Sequence, residues 1–412
     1  MKQTSHPVRR SLRIVSSDPP VGYGDAAPVS PLRIPLNRPF LTGAEAGYLR
    51  QAMRVGHLAG DGPFTTRATA LLTKLIGAPA TVLTTSCTHA LDMSAMLLDI
   101  GPGDEVIVPS FTFCSTASAF CLRGATAVFV DCRPDTLNLD ERLVEAAITR
   151  RSKAIVVVHY AGVGCDMDAF NSIAERHGIS LIEDNAHGLG GTYRGKSLGT
   201  FGALATQSFH ETKNVQCGEG GALVINDMSL HARAEIIRDK GTNRGDFLRG
   251  VVGRYRWMDI GSSYLPSEIL AAFLTAQLES FEEIQHRRRR VWQAYHSGLA
   301  DWAQRSGVAQ PTVPADCTHS ARLYYLLMPD PANRKGLLAH LAARGIGGAF
   351  HYQPLHSAPA GLRHGRVADG GCPVTDDVAD RLIRLPLFAG ITPGEVERVV
   401  DAVRSYQVVA AR

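Results

Sequence analysis

Two short stretches of this chain carry residue types suited to chemistry between an amine and a carbonyl. Ser208-Phe209-His210-Glu211-Thr212-Lys213-Asn214 sets a lysine just past an apolar run and ahead of Gly218-Glu219-Gly220-Gly221. Leu181-Ile182-Glu183-Asp184 is an apolar run ending in an acid, followed by Asn185-Ala186-His187. A lysine amine condenses with an aldehyde to a Schiff base, a carboxylate keeps a pyridine nitrogen protonated, and a serine hydroxyl reaches a phosphate. An acid at the end of one strand and Ser-x-x-x-x-Lys at the end of another therefore suit pyridoxal 5′-phosphate (PLP). Alone, Lys213 reads as a surface lysine and Asp184 as an ordinary strand-ending acid; together and in this order they favour PLP. On that reading Lys213 is the nucleophile and, once displaced, the base. A free lysine acts as a base only when neutral, so a lowered pKa is expected.

Other polar residues fall at similar positions. Thr84-Thr85-Ser86-Cys87-Thr88 joins a strand to a helix, where free amides and the helix dipole favour an anion. Ser86 or Thr88 also suits the helix cap, and capping is compatible with phosphate binding. Pro109-Ser110-Phe111-Thr112-Phe113 follows another strand; Phe113 is the candidate to stack on a flat ring, with a core phenylalanine as the plainer alternative. His187 either packs by the ring, bonds its phenolic oxygen, or is structural. Gly60-Asp61-Gly62-Pro63-Phe64 and Gly162-Val163-Gly164 read as turns. His351-Tyr352-Gln353-Pro354-Leu355-His356 lines a substrate pocket or packs as an ordinary loop.

The elements that must position these residues are βα units. Apolar runs at 81–85, 105–108, 127–130, 154–158 and 180–183 alternate with helix-like segments at 88–99, up to 123, 140–148 and 168–177. Strands apolar on both faces imply a mostly parallel sheet covered by helices. Further strands are expected at 205–209 and 221–225. Ligands of such sheets bind beyond the carboxyl ends of the strands, where four of the candidate loops fall. A long helical pattern over 267–304 leads to a second α/β pattern. The expected organisation is a flexible tail over 1–32, a large domain over 33–283 and a smaller one over 284–412.

Composition is that of a globular protein: 412 residues, 45% hydrophobic and 20% charged. A net charge of +4 does not argue for nucleic acid. Arg287-Arg288-Arg289-Arg290 reads as a solvated helix face or a subunit contact. The eight cysteines form no C-x-x-C pair and no zinc-spaced cluster, so no metal is expected and most read as buried thiols in a reducing cytoplasm. No apolar run reaches a membrane span, and the first 32 residues lack the apolar core of a secretion signal. No G-x-G-x-x-G follows the first strand, which argues against a dinucleotide enzyme.

With these residues in hand, the chain resembles the DegT/DnrJ/EryC1/StrS sugar aminotransferases over Ile34 to about Arg404. The resemblance is strongest to the subgroup making dTDP-4-amino-4,6-dideoxygalactose. It is carried by Ala59–Gly62, Leu97–Ile107, Val158–Val163, Ser208–Asn214, Lys240–Arg244, Asp259–Leu265 and Phe350–Tyr352. It implies a fold-type I PLP-dependent transferase (aspartate aminotransferase-like), with a large mostly parallel domain and a smaller C-terminal α/β domain. Lys213 is then the Schiff-base lysine, Asp184 the pyridine partner, His187 a neighbour of the ring and Phe113 its stacking partner. Cys87, Thr88 and Ser208 surround the phosphate; Tyr160, His351 and Tyr352 face the substrate. Family enzymes are dimers that share active sites, and the Gly261–Leu265 loop is expected to reach the neighbour. Ser263 stands there where many members have asparagine, and Asn185-Ala186-His187 replaces an Ala-Ala-Gln run of the galactose type.

The function these features imply is transfer of an amino group from L-glutamate to C4 of dTDP-4-keto-6-deoxy-D-glucose. The product is a dTDP-4-amino-4,6-dideoxyhexose, gluco or galacto. A C3 ketosugar aminotransferase and a non-catalytic PLP-binding homologue are the alternatives. Lys213, where the family's sugar dehydratases have histidine, favours transamination.

Overall fold

The computed structural model describes residues 33–409; the expected tail over 1–32 lies outside the described residues. Strands β1 (Ala80–Thr84), β2 (Glu105–Pro109), β3 (Thr126–Val130), β4 (Ser152–Val158) and β5 (Ser180–Asp184) alternate with helices Cys87–Leu97, Ser115–Cys121, Glu141–Ala147 and Met167–His177. A short hairpin, β6 (Thr192–Tyr193) and β7 (Lys196–Ser197), precedes β8 (Leu204–Ser208) and β9 (Gly221–Ile225). Beyond them come β10 (Cys317–Thr318), β11 (Tyr324–Leu327), β12 (Gly365–Val367) and β13 (Leu382–Leu385).

The main sheet has the order β1-β9-β8-β5-β4-β2-β3-β12. From β8 to β12 every pairing is parallel; β9 runs antiparallel to both β1 and β8. β2 and β9 are buried at every position, as expected of strands covered on both faces. Because β9 alone is reversed, the carboxyl ends of β1, β2, β5 and β8 emerge on one edge, and β9 begins there. All four candidate loops therefore meet at that edge.

Two helices ahead of β1, Glu45–Val55 and Pro63–Ile76, fall outside the βα alternation and pack on Glu268–Glu279. The buried Glu268 carboxylate accepts the amides of Gly62 (3.1 Å), Phe64 (2.7 Å) and Thr65 (2.9 Å), which fixes the Gly60–Phe64 turn at a helix start. The helical pattern over 267–304 resolves into two helices, Glu268–Glu279 and Phe281–Arg305, with Ser280 (φ −99°, ψ 14°) ending one and opening the next. The second helix is continuous through the expected 283/284 boundary. Its first turn, with Phe281 and Ile284, packs in the large-sheet core. Its later turns, with Trp292, Tyr295 and Trp302, pack with Ile34, Tyr324, Leu385 and Val399 in a C-terminal core. The C-terminal segment also returns to the large sheet, where β12 pairs with β3.

The arginine run is not a uniformly solvated face. Arg288 is 2% exposed, and donates to the carbonyls of Ala321 (3.2 Å) and Arg322 (2.7 Å). Its place on the inner face of the helix, hidden in a run of four identical residues, decides this. Half of the thiols are buried (Cys132, Cys165, Cys217 and Cys372), Cys114 is exposed, and all eight are free. Among the described residues no helix is long and apolar enough to cross a membrane, and no group of three His, Cys, Asp or Glu residues is arranged for a metal.

Candidate active site

The meeting edge opens into a cavity of about 640 Å³. Cys87, Thr88, Phe113, Asp184, His187 and Ser208 line it, together with Lys213, His351 and Tyr352. Ser86 caps the helix over Cys87–Leu97, its Oγ accepting from His89 N at 3.1 Å. The amides of Cys87 and Thr88 precede the first intrahelical bond, so they form an anion site. Gly221, at the start of β9, lies so close that a Cβ there would stand 2.3 Å from Cys87 N. Cys87 Sγ contacts Thr206 Oγ1 (3.3 Å), Thr88 Oγ1 bonds Ser115 Oγ (2.8 Å), and burial pushes the Cys87 thiol pKa far up.

Asp184, 5% exposed at the end of β5, accepts from Thr116 Oγ1 at 2.7 Å and from Ala186 N at 3.2 Å. Thr116 in turn bonds Thr112 Oγ1 at 2.9 Å. These bonds fix the carboxylate and leave lone pairs for a ring N–H. Beneath the next loop, buried Glu183 accepts from Gly199 N (2.7 Å), Phe201 N (2.6 Å) and Gly202 N (2.8 Å), and meets His159 at 2.9 Å.

The Lys213 backbone amide donates to His210 O at 2.8 Å. Burial, and after it the nearby charge of Arg322, lower the Lys213 pKa from 10.5 to about 7. At that value a large share of the amine is uncharged near neutral pH.

The opposite wall is aromatic. His187 lies nearly parallel to His351 (centroids 6.0 Å apart, 17°) and to Tyr352 (6.5 Å, 14°). Burial drives the pKa of both histidines well down, so they are neutral. His187 Nδ1 is buried without a partner. Gly162 faces this layer: at φ +83°, a Cβ there would collide with Ser320 Oγ. Phe113, 57% exposed, stands at the mouth of the cavity, 6.4 Å from Tyr352.

Two expected site residues are placed differently. Tyr160 is 1% exposed behind the wall and does not line the cavity; its hydroxyl bonds His351 Nδ1 at 3.0 Å. Ser263 is exposed, bridged to Asp239, and lies outside the cavity of its own chain. Residues that the sequence reading passed over also line the cavity, notably Arg322 and Arg384. Thr116, the direct support of Asp184, was passed over as well.

The residues fit PLP: an anion site at a helix start, a fixed carboxylate, and a lysine of lowered pKa share one cavity floored by strand ends. Fold and site together are those of a PLP-dependent aminotransferase. The chain belongs to the DegT/DnrJ/EryC1/StrS aminotransferase family, whose sequence model matches residues 40–404. It is similar to the aminotransferase TlmJ from Streptoalloteichus hindustanus, with 31% identity, TM-score 0.83, and 90% of this chain and 98% of that one covered. It is similar to DesV of S. venezuelae, with 32% identity, TM-score 0.82, and coverage of 91% and 98%. Spr1654 from Streptococcus pneumoniae, provisionally described as a sugar aminotransferase, matches in its PLP-form with 28% identity, TM-score 0.83, and coverage of 90% and 98%.

Proposed function

We propose that the protein transfers an amino group from L-glutamate to C4 of dTDP-4-keto-6-deoxy-D-glucose, giving a dTDP-4-amino-4,6-dideoxyhexose. The carrying observation is Lys213, with a pKa of about 7, in one cavity with Asp184 and the Cys87–Thr88 helix start. Bound PLP supplies an aldehyde that accepts the amino group and a ring that draws electrons from the substrate carbon. Asp184 holds the proton on the ring nitrogen. The Cys87 and Thr88 amides, with Ser208, hold the phosphate. Lys213 Nζ takes the proton from the α-carbon of glutamate, and in the second half-reaction delivers one to the sugar carbon. The neutral His187, His351 and Tyr352 offer a polar aromatic wall that suits a sugar ring, and Phe113 closes over the cofactor. The similarity to Spr1654 supports a sugar substrate; the C4 position and the dTDP carrier rest on the whole set of motif resemblances, from Ala59–Gly62 to Phe350–Tyr352.

The reading includes a homodimer in which Ser263 of each chain reaches toward the neighbour's phosphate. The exposed Trp257, Met258 and Ile260 beside that loop suit a covered surface. Eight free thiols suit a reducing cytoplasm.

The test is the absorption spectrum of the holoenzyme during addition of L-glutamate and then of the ketosugar. The visible band of the lysine-bound cofactor is expected to vanish with glutamate and return with the sugar, and NMR of the product reads C4 against C3 and gluco against galacto. A band indifferent to glutamate would sink the donor assignment; one that disappears but never returns would sink the sugar.

A further inference from the structure

We propose that Arg322 and Arg384 form a carboxylate-binding subsite that takes the carboxylates of the amino donor; the inference rests on the transamination reading above. Both side chains line the Lys213 cavity. Neither makes an ion pair among the described residues, although the fold pairs arginines freely elsewhere. Arg384 Nε donates to Phe350 O at 3.2 Å, which fixes its plane and leaves its terminal nitrogens for a ligand. Arg322 Nε is buried and has no partner. Buried donors are ordinarily satisfied, so a buried, unpaired guanidinium edge in a cavity implies a ligand.

The segment carrying Arg322 is built for position. Ser320 Oγ donates to His187 O (2.5 Å), and Ser320 O accepts from Asn214 Nδ2 (2.8 Å) and Gln285 Nε2 (2.5 Å). The buried Arg288 holds the next two carbonyls. Ala321 adopts φ 51°, a left-handed conformation that a residue with a Cβ seldom takes. Strain, a buried arginine and five hydrogen bonds converge on three residues, and what they position in the cavity is one guanidinium. Such pinning is the mark of a preorganised binding group.

A carboxylate fits better than a phosphate. In an amino acid the carboxylate is bonded directly to the carbon whose proton Lys213 must take, so its cation has to share the lysine's end of the cavity. A nucleotide-sugar carries its phosphates across the sugar ring from C4, and the cofactor phosphate is assigned to the Cys87 helix. Planar guanidinium edges match carboxylates in paired hydrogen bonds. Two of them suit a dicarboxylic donor, one for each end. There is a consequence for the base: Arg322 is the largest charge acting on Lys213. A carboxylate seated on Arg322 offsets that field and raises the lysine's proton affinity as the donor arrives.

The test uses glutarate, which has both carboxylates and no amino group. Its affinity for the PLP holoenzyme is measured by calorimetry in wild type, Arg322→Gln and Arg384→Gln, beside that of dTDP. Glutarate binding is expected to weaken about tenfold or more in each variant, with dTDP affinity within about twofold of wild type. Unchanged glutarate affinity in folded variants would overturn the proposal, as would wild-type protein that binds no glutarate. A loss falling on dTDP instead would assign the cations to phosphate. Should Arg322→Gln not fold, Arg384→Gln decides alone. If wild type binds glutarate through both arginines yet glutamate leaves the visible band intact, the donor reading fails and the subsite stands.

Discussion

Asp184 and Arg322 face the same cavity, and the fold treats their charges differently. Asp184 has partners on its flanks, Thr116 Oγ1 at 2.7 Å and Ala186 N at 3.2 Å, before any ligand arrives. Arg322 is braced only from behind, through its backbone, and its Nε has no partner. A carboxylate aimed at a resident ring can be satisfied in part for good. A cation that must seize and release a substrate has to be left hungry, because a permanent partner would compete with it. The cavity thus has a settled floor, at the ends of β1, β2, β5 and β8, and an unsettled wall from the C-terminal segment.

The largest break of this comparison is at the floor. Lys213→Ala is expected to lower turnover by about 10³-fold or more while the cofactor stays bound non-covalently, read by activity and by loss of the lysine-bound visible band. Near wild-type turnover would remove Lys213 from the mechanism. Asp184→Asn keeps the shape and removes the charge; the glutamate half-reaction should slow by about 10²–10³-fold in stopped-flow absorption.

The lysine also sharpens the contrast through pH. Its pKa of about 7 with no donor bound sets the lower bound of a limb in proton transfer, moved upward by a carboxylate on Arg322, with the rate rising as pH increases and the amine loses its proton. Stability carries the same sign. In cofactor-free protein the folded pKa lies below the ordinary 10.5. Below pH 7 folded and unfolded states both hold the proton, and the folded state bears the full cost of the buried charge. Between about pH 7 and 10.5 the unfolded state binds more protons, so stability rises with pH. Lys213→Met should remove that slope, on the order of several kcal/mol over the window, in denaturant unfolding at pH 6.5 and 9.5. Parallel slopes in the two proteins would contradict the lowered pKa.

The floor was legible in sequence and the wall was not, for a physical reason. Each floor residue lies within a few positions of an apolar strand, and a parallel sheet brings all such ends to one edge, so local pattern and fold rule suffice for Lys213, Asp184 and the Cys87 helix start. Arg322 stands two residues ahead of β11 and Arg384 lies within β13, neither at the carboxyl end of a main-sheet strand, and they join the Lys213 cavity because β11 and β13 pair across the C-terminal core. Arg288 was obscured by its neighbours: four adjacent arginines look solvated, while helical periodicity turns one of them inward. Tyr160 was read too near the substrate because its motif marks the layer and not which ring faces the cavity.

The smallest predicted effects compare the two supports, Thr116 for the floor and Arg288 for the wall. Thr116→Val removes one hydrogen bond to a charged acceptor, worth about 1.5–3 kcal/mol, so the glutamate half-reaction should slow by about ten- to a hundredfold. That loss should appear in the rate constant, because Thr116 steadies the group on the ring and touches no donor. Arg288→Met should leave the saturating rate closer to wild type and raise the KM for glutamate by a few-fold, since it loosens the Ala321–Arg322 backbone and not the base. Arg288 is itself buried at a desolvation cost that drives its pKa well down, which makes a role in stability alone a poor reason for its presence. If Arg288→Met lowers stability with glutamate KM unchanged, the wall does not depend on this brace. If it raises the ketosugar KM instead, the wall serves the acceptor, and the division between a settled floor and a donor-seizing wall has to be redrawn.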